Sequence, residues 1–330
     1  MTAVLDAGVE AAATVAAPPE RFNFATHLFA LNAQRAAKLA YIDDVGSISY
    51  GELETRARRF ASALLELGLR PEERLLLIML DTSDLPVAFL GALFAGVVPV
   101  VVNTLLTSAD YAYMLKHSRA RAVVASAPLL PTVAQALADA RHDCTLIVSR
   151  PDDADLPSQR VFEILWREAT PLAQAHDAGA DDIAFWLYSS GSTGKPKGTV
   201  HTHGNLYYTV ELYGKGVLNI REDDVVFSAA KLFFAYGLGN GLTFPLSVGA
   251  TVILMAERPT ADAVFARLTK HRPTVFYGVP TLYASMLASE NLPARADVAM
   301  RICTSAGEAL PREIGERYTE HFGCEIIDGI

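Results

Sequence analysis

Cysteine is scarce in this chain, with only Cys144, Cys303 and Cys324 in 330 residues. Their wide spacing offers no C-x-x-C metal pair and no even disulfide set, so they read as reduced thiols of a cytoplasmic protein. Runs rich in lysine and arginine are also missing, and the formal net charge is −9. A general nucleic-acid binder or a protein held on an anionic membrane surface is thereby disfavoured. The alanine-rich start, residues 1–20, lacks a basic n-region and carries Asp6 and Glu10. It is expected to be a loose tail rather than a signal peptide. One long uncharged run does occur, the 22 residues from Leu85 to Leu106, which reaches membrane-spanning length. Its punctuation argues otherwise. Asp84 is placed to cap a helix through Phe94, Gly96 to end it, and Val97 to Val102 is a β-branched run broken by Pro99. A buried helix, turn and strand is the expectation, with no transmembrane segment.

What the chain does have is an ordinary globular mixture, 51% hydrophobic and 20% charged, long enough for two sizeable cores. Ser49 and Glu52 make an S-x-x-E capping pattern. Leu53, Ala57, Phe60, Ala61, Leu64 and Leu65 then recur at helical spacing until Gly68 and Pro71. Short apolar runs follow at 75–80, 97–102, 122–126, 145–149, 183–188, 225–230, 250–254, 274–278, 301–305 and 325–328, with helical patterns between them. Runs apolar on both faces, separated by helices, predict an α/β fold of parallel-rich sheets flanked by helices. Candidate joints at 149–160 and 176–182 divide the chain into the tail (1–20), a first α/β subdomain (21–175) and a second (176–330). Such sheets bind ligands beyond the carboxyl ends of their strands. The loops starting at Ser189, Lys231, Ser305 and Asp328 are therefore expected to line one crevice.

The richest of these loops reads YSSGSTGKPKG, Tyr188 to Gly198. Gly191, Gly194 and Gly198 allow turns that aim backbone N–H groups at an anion. Ser189, Ser190, Ser192 and Thr193 add donors, and Lys195 and Lys197 add positive charge about the rigid Pro196. The assembly suits a polyphosphate. It is not a Walker loop, because Pro196 stands where the second glycine would be, and Leu242 spoils a G-x-G-x-x-G reading of 237–242.

The loop matches every defined position of [ST]-[SG]-G-[ST]-[ST]-G-x-P-K-G, and so resembles the signature of the adenylate-forming acyl-CoA synthetase superfamily. GALFAGVVPVVVN (91–103), THGNL (202–206), KLFFAYGLGNG (231–241), GVPTLY (278–283) and SAGEALP (305–311) fall in the family's order. The resemblance implies the large N-terminal domain of the acyl-adenylate-forming fold. It implies that ATP activates a carboxylate to an acyl-adenylate and that a thiol, usually coenzyme A, then takes the acyl group. The phosphates of ATP would meet Ser189, Ser190, Gly191, Ser192, Thr193, Gly194, Lys195 and Lys197. Mg²⁺ would come with the nucleotide, with no metal ligands of its own in this stretch. Ser305, Ala306, Gly307, Glu308, Asp328 and Gly329 would lie at adenine and the rest of AMP. The closing DGI (328–330) resembles the start of the family's next motif. The family's ribose-binding aspartate, hinge and small C-terminal domain, with its catalytic lysine, do not occur in the sequence. The chain is therefore expected to bind ligands without turning over.

Where many members carry an aromatic–His pair, this chain has Phe233–Phe234. Phe234, Ala235, Tyr236 and Gly237 suit a flat aromatic acid, and Ala306, Gly307, Gly329 and Ile330 leave room for its ring. Within the family the combination most resembles the benzoate-activating acid–CoA ligases. Two alternatives stay open: an adenylation domain that loads a carrier-protein thiol, and a non-catalytic ligand-binding protein of the same fold. Ring substituents and assembly into a homo-oligomer are also open. His201 and His203 are expected to follow the loop into a helix capped by Thr202 rather than to bind metal. Cys303 and Cys324 are expected to act as small hydrophobes.

Overall fold

The structure is a computed structural model that describes residues 15–151, 160–189 and 195–329. Most of the expected tail and of the 149–160 joint lies outside the described residues. Thirteen described strands make two sheets. In chain order they are β1 (Leu39–Ile42), β2 (Ser47–Ser49), β3 (Arg74–Ile78), β4 (Val98–Val101), β5 (Ala122–Ser126), β6 (Thr145–Ser149) and β7 (Ile183–Ser189). There follow β8 (Lys197–Thr202), β9 (Val225–Ser228), β10 (Thr251–Ile253), β11 (Val275–Gly278), β12 (Ile302–Ser305) and β13 (Ile326–Asp328). One sheet runs β6-β5-β3-β4-β7-β8 and the other β13-β12-β11-β9-β10-β1-β2. Each is parallel except for one antiparallel hairpin strand, β8 or β2, at an edge.

Alternation along the strands builds the layers. Leu75 and Leu77 of the first sheet, and Val226, Val252 and Tyr277 of the second, face a shared central core. The helices Phe24–Asn32, Tyr50–Glu66 and Asp84–Ala95 contribute to that core. Leu76, Ile78 and Val123 point the other way, against Tyr111, Leu115 and Val133. Phe227, Phe276 and Cys303 likewise pack outward on Phe265, Leu268 and Tyr318. This arrangement explains the uncharged run: Asp84–Ala95 lies in the middle layer and all 12 of its residues are buried, so a helix apolar all round is what that position requires. Among the described residues no helix is long and apolar enough to cross a membrane. Gly96 ends the helix as expected, at φ +75, and a Cβ there would lie 2.5 Å from the His176 ring.

Two expectations need correction. Asp84 does not cap its helix; Ser83 occupies the N-cap, without a side-chain bond. The Asp84 carboxylate accepts instead from Ser149 Oγ at 2.7 Å and Arg150 Nε at 3.0 Å, and Arg150 also binds Asp43 at 2.7 Å. A buried carboxylate is better satisfied by a guanidinium than by helix N–H groups. The boundary at 175 also fails to separate the sheets. The β1–β2 hairpin joins the sheet formed mainly by later residues, and β7 and β8 join the earlier one. The early hairpin completes an edge through parallel pairing of Tyr41 with Val252, a long-range pairing that local patterns do not carry. The capping pattern at Ser49 is realised as a full capping box with Glu52. Cys303 and Cys324, far apart in sequence, come within 3.5 Å between sulfur atoms, as free thiols in the outer core.

Candidate functional site

The carboxyl ends of β7, β9, β12 and β13 lead into the four loops singled out by sequence. Of the proposed phosphate residues, Ser189 ends β7, Lys195 and Pro196 precede β8, and Lys197 opens it. Ser189 pairs directly with Lys197 and Tyr188 with Gly198, so the two stems of the segment are the paired ends of an antiparallel hairpin. Ser190, Gly191, Ser192, Thr193, Gly194 and Ile330 lie outside the described residues. Gly198 earns its place by contact, since a Cβ there would be 3.3 Å from the Trp186 ring.

A crevice of about 780 Å³ opens beside this hairpin. Tyr188, Ser189 and Pro196 line it on one side, and Phe233, Phe234 and Ala235 on another. Phe234 is half exposed at 51%, with its ring 4.5 Å from that of buried Phe233. Two of the four loops therefore meet as expected. Asn103, Leu106, Asp110 and Met114 also line the crevice and were not anticipated. They follow β4, the parallel neighbour of β7, so the rule that located the other loops reaches them as well. A larger open groove, about 980 Å³, lies along residues 17–33 and 173–178, beside the segment that enters β7 rather than the loop that leaves it.

The other two loops are tied to each other. Gly329 N donates to the Ser305 carbonyl at 2.8 Å, and Leu310 N to Asp328 Oδ2 at 3.1 Å. Gly307 takes φ +97, a left-handed conformation suited to glycine. Ala306 is buried, Glu308 is exposed, and the buried Ser305 hydroxyl has no partner among the described residues. Tyr236 links this pair to the 231–236 loop, because its hydroxyl lies 2.5 Å from Thr304 Oγ1. That hydroxyl was expected to face an acid; here it is engaged by β12, and burial pushes its pKa up. Gly237 is buried and does not line the crevice. A Cβ there would fall 2.0 Å from the Lys231 carbonyl oxygen, so close packing of the loop on the helix is what demands glycine.

Asp81, just beyond β3, was missed. It is buried, and both carboxylate oxygens accept from Leu232 N, at 3.2 and 3.3 Å. Burial pushes its pKa up to about 6 against the opposing pull of Lys231. Lys231 itself donates to the Met255 and Glu257 carbonyls, which anchors the loop rather than offering charge to a ligand. Asp81 thus connects the first sheet to the 231–236 loop of the second. An aspartate following an apolar strand was the signal available for it.

The chain runs from the loop through His201 into the expected helix. Thr202 caps the helix His203–Thr209 in a capping box with Asn205. His201 stacks on Phe185 at 4.6 Å. His203 is buried, accepts from Phe24 N at 3.1 Å through Nδ1, and has its pKa lowered by burial to about 4. Among the described residues there is no cluster of three or more His, Cys, Asp or Glu side chains able to hold a metal ion.

Two parallel-rich α/β sheets with a glycine- and hydroxyl-rich hairpin at their strand ends define the N-terminal fold of an adenylate-forming protein. The chain belongs to the AMP-binding enzyme family, whose sequence pattern matches residues 28–330. It is 53% identical over 315 residues to a benzoate–CoA ligase of Thauera aromatica, covering 94% of this chain and 59% of the relative. A 4-hydroxybenzoate–CoA/benzoate–CoA ligase of Rhodopseudomonas palustris is 46% identical, over 90% of this chain and 54% of the relative. Among solved structures, a benzoate CoA ligase from Burkholderia xenovorans is 72% identical with a TM-score of 0.89, covering 94% of this chain and 60% of that one. An anthranilate CoA ligase in complex with anthranoyl-AMP matches at 32% identity and a TM-score of 0.88, over 95% of this chain and 59% of that one. The chain thus spans a little over half the length of these relatives.

Proposed function

We propose that this chain carries the nucleotide and acid sites of an ATP-dependent aryl acid–CoA ligase, with benzoate or a close analogue as its acid. In this reading the acid's carboxylate oxygen attacks the α-phosphorus of ATP, pyrophosphate leaves, and the acyl-adenylate passes its acyl group to the thiol of coenzyme A, releasing AMP. The 189–198 segment takes the β- and γ-phosphates, with Lys197 neutralising charge and the Ser192 and Thr193 hydroxyls donating. Mg²⁺ is proposed to arrive on the phosphate oxygens and to offset the charge of the leaving pyrophosphate. Ser305 to Glu308, with Asp328 and Gly329, flank the adenosine. Phe234 and Ala235 give the acid an apolar wall, with Tyr236 and Gly237 behind it holding the loop in place and Ile330 proposed at its far side. The cytoplasm is the proposed compartment.

One observation carries the reading: the stems of the phosphate-loop motif, at Ser189 and Pro196, share a crevice with Phe234 and Ala235. A polyphosphate site beside a flat apolar wall is what joining an acid to a nucleotide requires. Calorimetric titration of Lys197→Ala tests it. ATP–Mg²⁺ affinity is expected to fall at least tenfold while benzoate affinity stays within about twofold. Equal losses for both ligands would count against the phosphate role.

A further inference from the structure

We propose that Tyr113 and His117, on the helix Ser108–Ser118, are positioning residues for polyphosphate binding that grip both stems of the loop and orient Lys195. The inference rests on the phosphate-loop reading above and supplies a support that the loop's own motif does not contain.

The two residues are four apart, which places them on one helix face. Their rings stack at 5.3 Å with 23° between planes. From that platform His117 Nδ1 is 2.8 Å from the Tyr188 hydroxyl, on the strand that enters the loop. Tyr113 donates its hydroxyl proton to the Pro196 carbonyl at 3.2 Å, on the segment that leaves it. The Lys195 ammonium sits 5.7 Å from the centre of the Tyr113 ring, within the range of cation–π attraction.

The platform is itself fixed. Thr107 and Asp110 form a capping box at the start of the helix. Tyr111, Met114 and Leu115, between and beside the two rings, are buried in the outer core of the first sheet. Tyr111 also donates to the Asn103 carbonyl at 2.9 Å. Packing alone would call for apolar bulk against the hairpin. Here two directional bonds and one cation–ring contact converge on residues that flank the loop. The same helix sends Asp110 and Met114 into the crevice. A lysine already held on a rigid ring gives up less side-chain freedom when a phosphate arrives.

The test is ATP–Mg²⁺ titration of the chain bearing Tyr, Phe or Leu at position 113, each with Lys195 and with Lys195→Ala. Tyr113→Phe keeps the ring and removes the Pro196 bond, whereas Tyr113→Leu removes both. With Lys195 present, leucine is expected to bind ATP about two- to fivefold more weakly than phenylalanine, the size of an exposed cation–π contact. In the Lys195→Ala background that difference is expected to vanish. Benzoate affinity should stay within about twofold throughout, which a general loss of folding would not permit. The same phenylalanine-to-leucine difference in both backgrounds would overturn the proposal while leaving the phosphate reading intact. A wild-type chain that fails to bind ATP–Mg²⁺ would overturn both.

Discussion

Asp81→Asn is predicted to reverse part of the protein's pH dependence of stability. Asp81 is 3% exposed, and burial lifts its pKa from 3.8 to about 6. Between those values the folded chain keeps a proton that the unfolded chain has already released. Stability therefore falls as pH rises through this window, by about 1.4 kcal/mol per unit. The full loss is about 3 kcal/mol and is complete above pH 6. Asparagine has nearly the same shape and still accepts from Leu232 N, but it does not titrate. Its new N–H group, near Lys231, adds a cost that is constant across this range and drops out of a comparison between pH values. The stability of Asp81→Asn relative to wild type should therefore rise by about 2 kcal/mol from pH 4 to pH 7, somewhat less than the full loss because the unfolded carboxylate is still partly protonated at pH 4. Urea unfolding of both proteins at pH 4, 5, 6 and 7, with matched m-values, measures the difference. A difference independent of pH would refute the claim that Asp81 is held protonated by burial.

His203 should act with the opposite sign. Its folded pKa is depressed to about 4 by burial, so its contribution is complete above the ordinary 6.5 and is lost as pH falls through 4, about 3 kcal/mol in all. His203→Asn should flatten that acid limb in the same unfolding series, and an unchanged limb would exclude His203 as its source. Gly237→Ala should destabilise by about 1–3 kcal/mol, because its Cβ would meet backbone rather than a side chain able to move. It should also displace the 231–236 loop and weaken benzoate binding; a variant as stable as wild type would show that the loop yields freely.

Much of this molecule is legible locally. The Ser49–Glu52 capping box, the stop at Gly96 and the strand runs are each set by residues close in sequence. The loop motif is equally local, and the alternation of strands and helices predicts which strand ends matter. Pairing across the sheets is not local. Tyr41 finds Val252, and β7 joins β4, through contacts more than eighty residues apart, so a boundary drawn from composition at 175 cuts across both sheets. The same holds for the supports of the site. Asp81 reaches Leu232 and His117 reaches Tyr188, and nothing in either short stretch marks these partners. Asp84 shows the limit from the other side: a helix start near it was readable, but the competing guanidinium of Arg150, which takes its carboxylate away from capping, was not.

The central claim is that this chain holds an aryl acid beside a nucleotide phosphate site. Calorimetric titration of the chain with benzoate, with hexanoate, and separately with ATP–Mg²⁺ tests it most directly. The account predicts saturable binding of benzoate and of ATP–Mg²⁺, and none of hexanoate. Binding of hexanoate without benzoate would contradict it and make the crevice an aliphatic site.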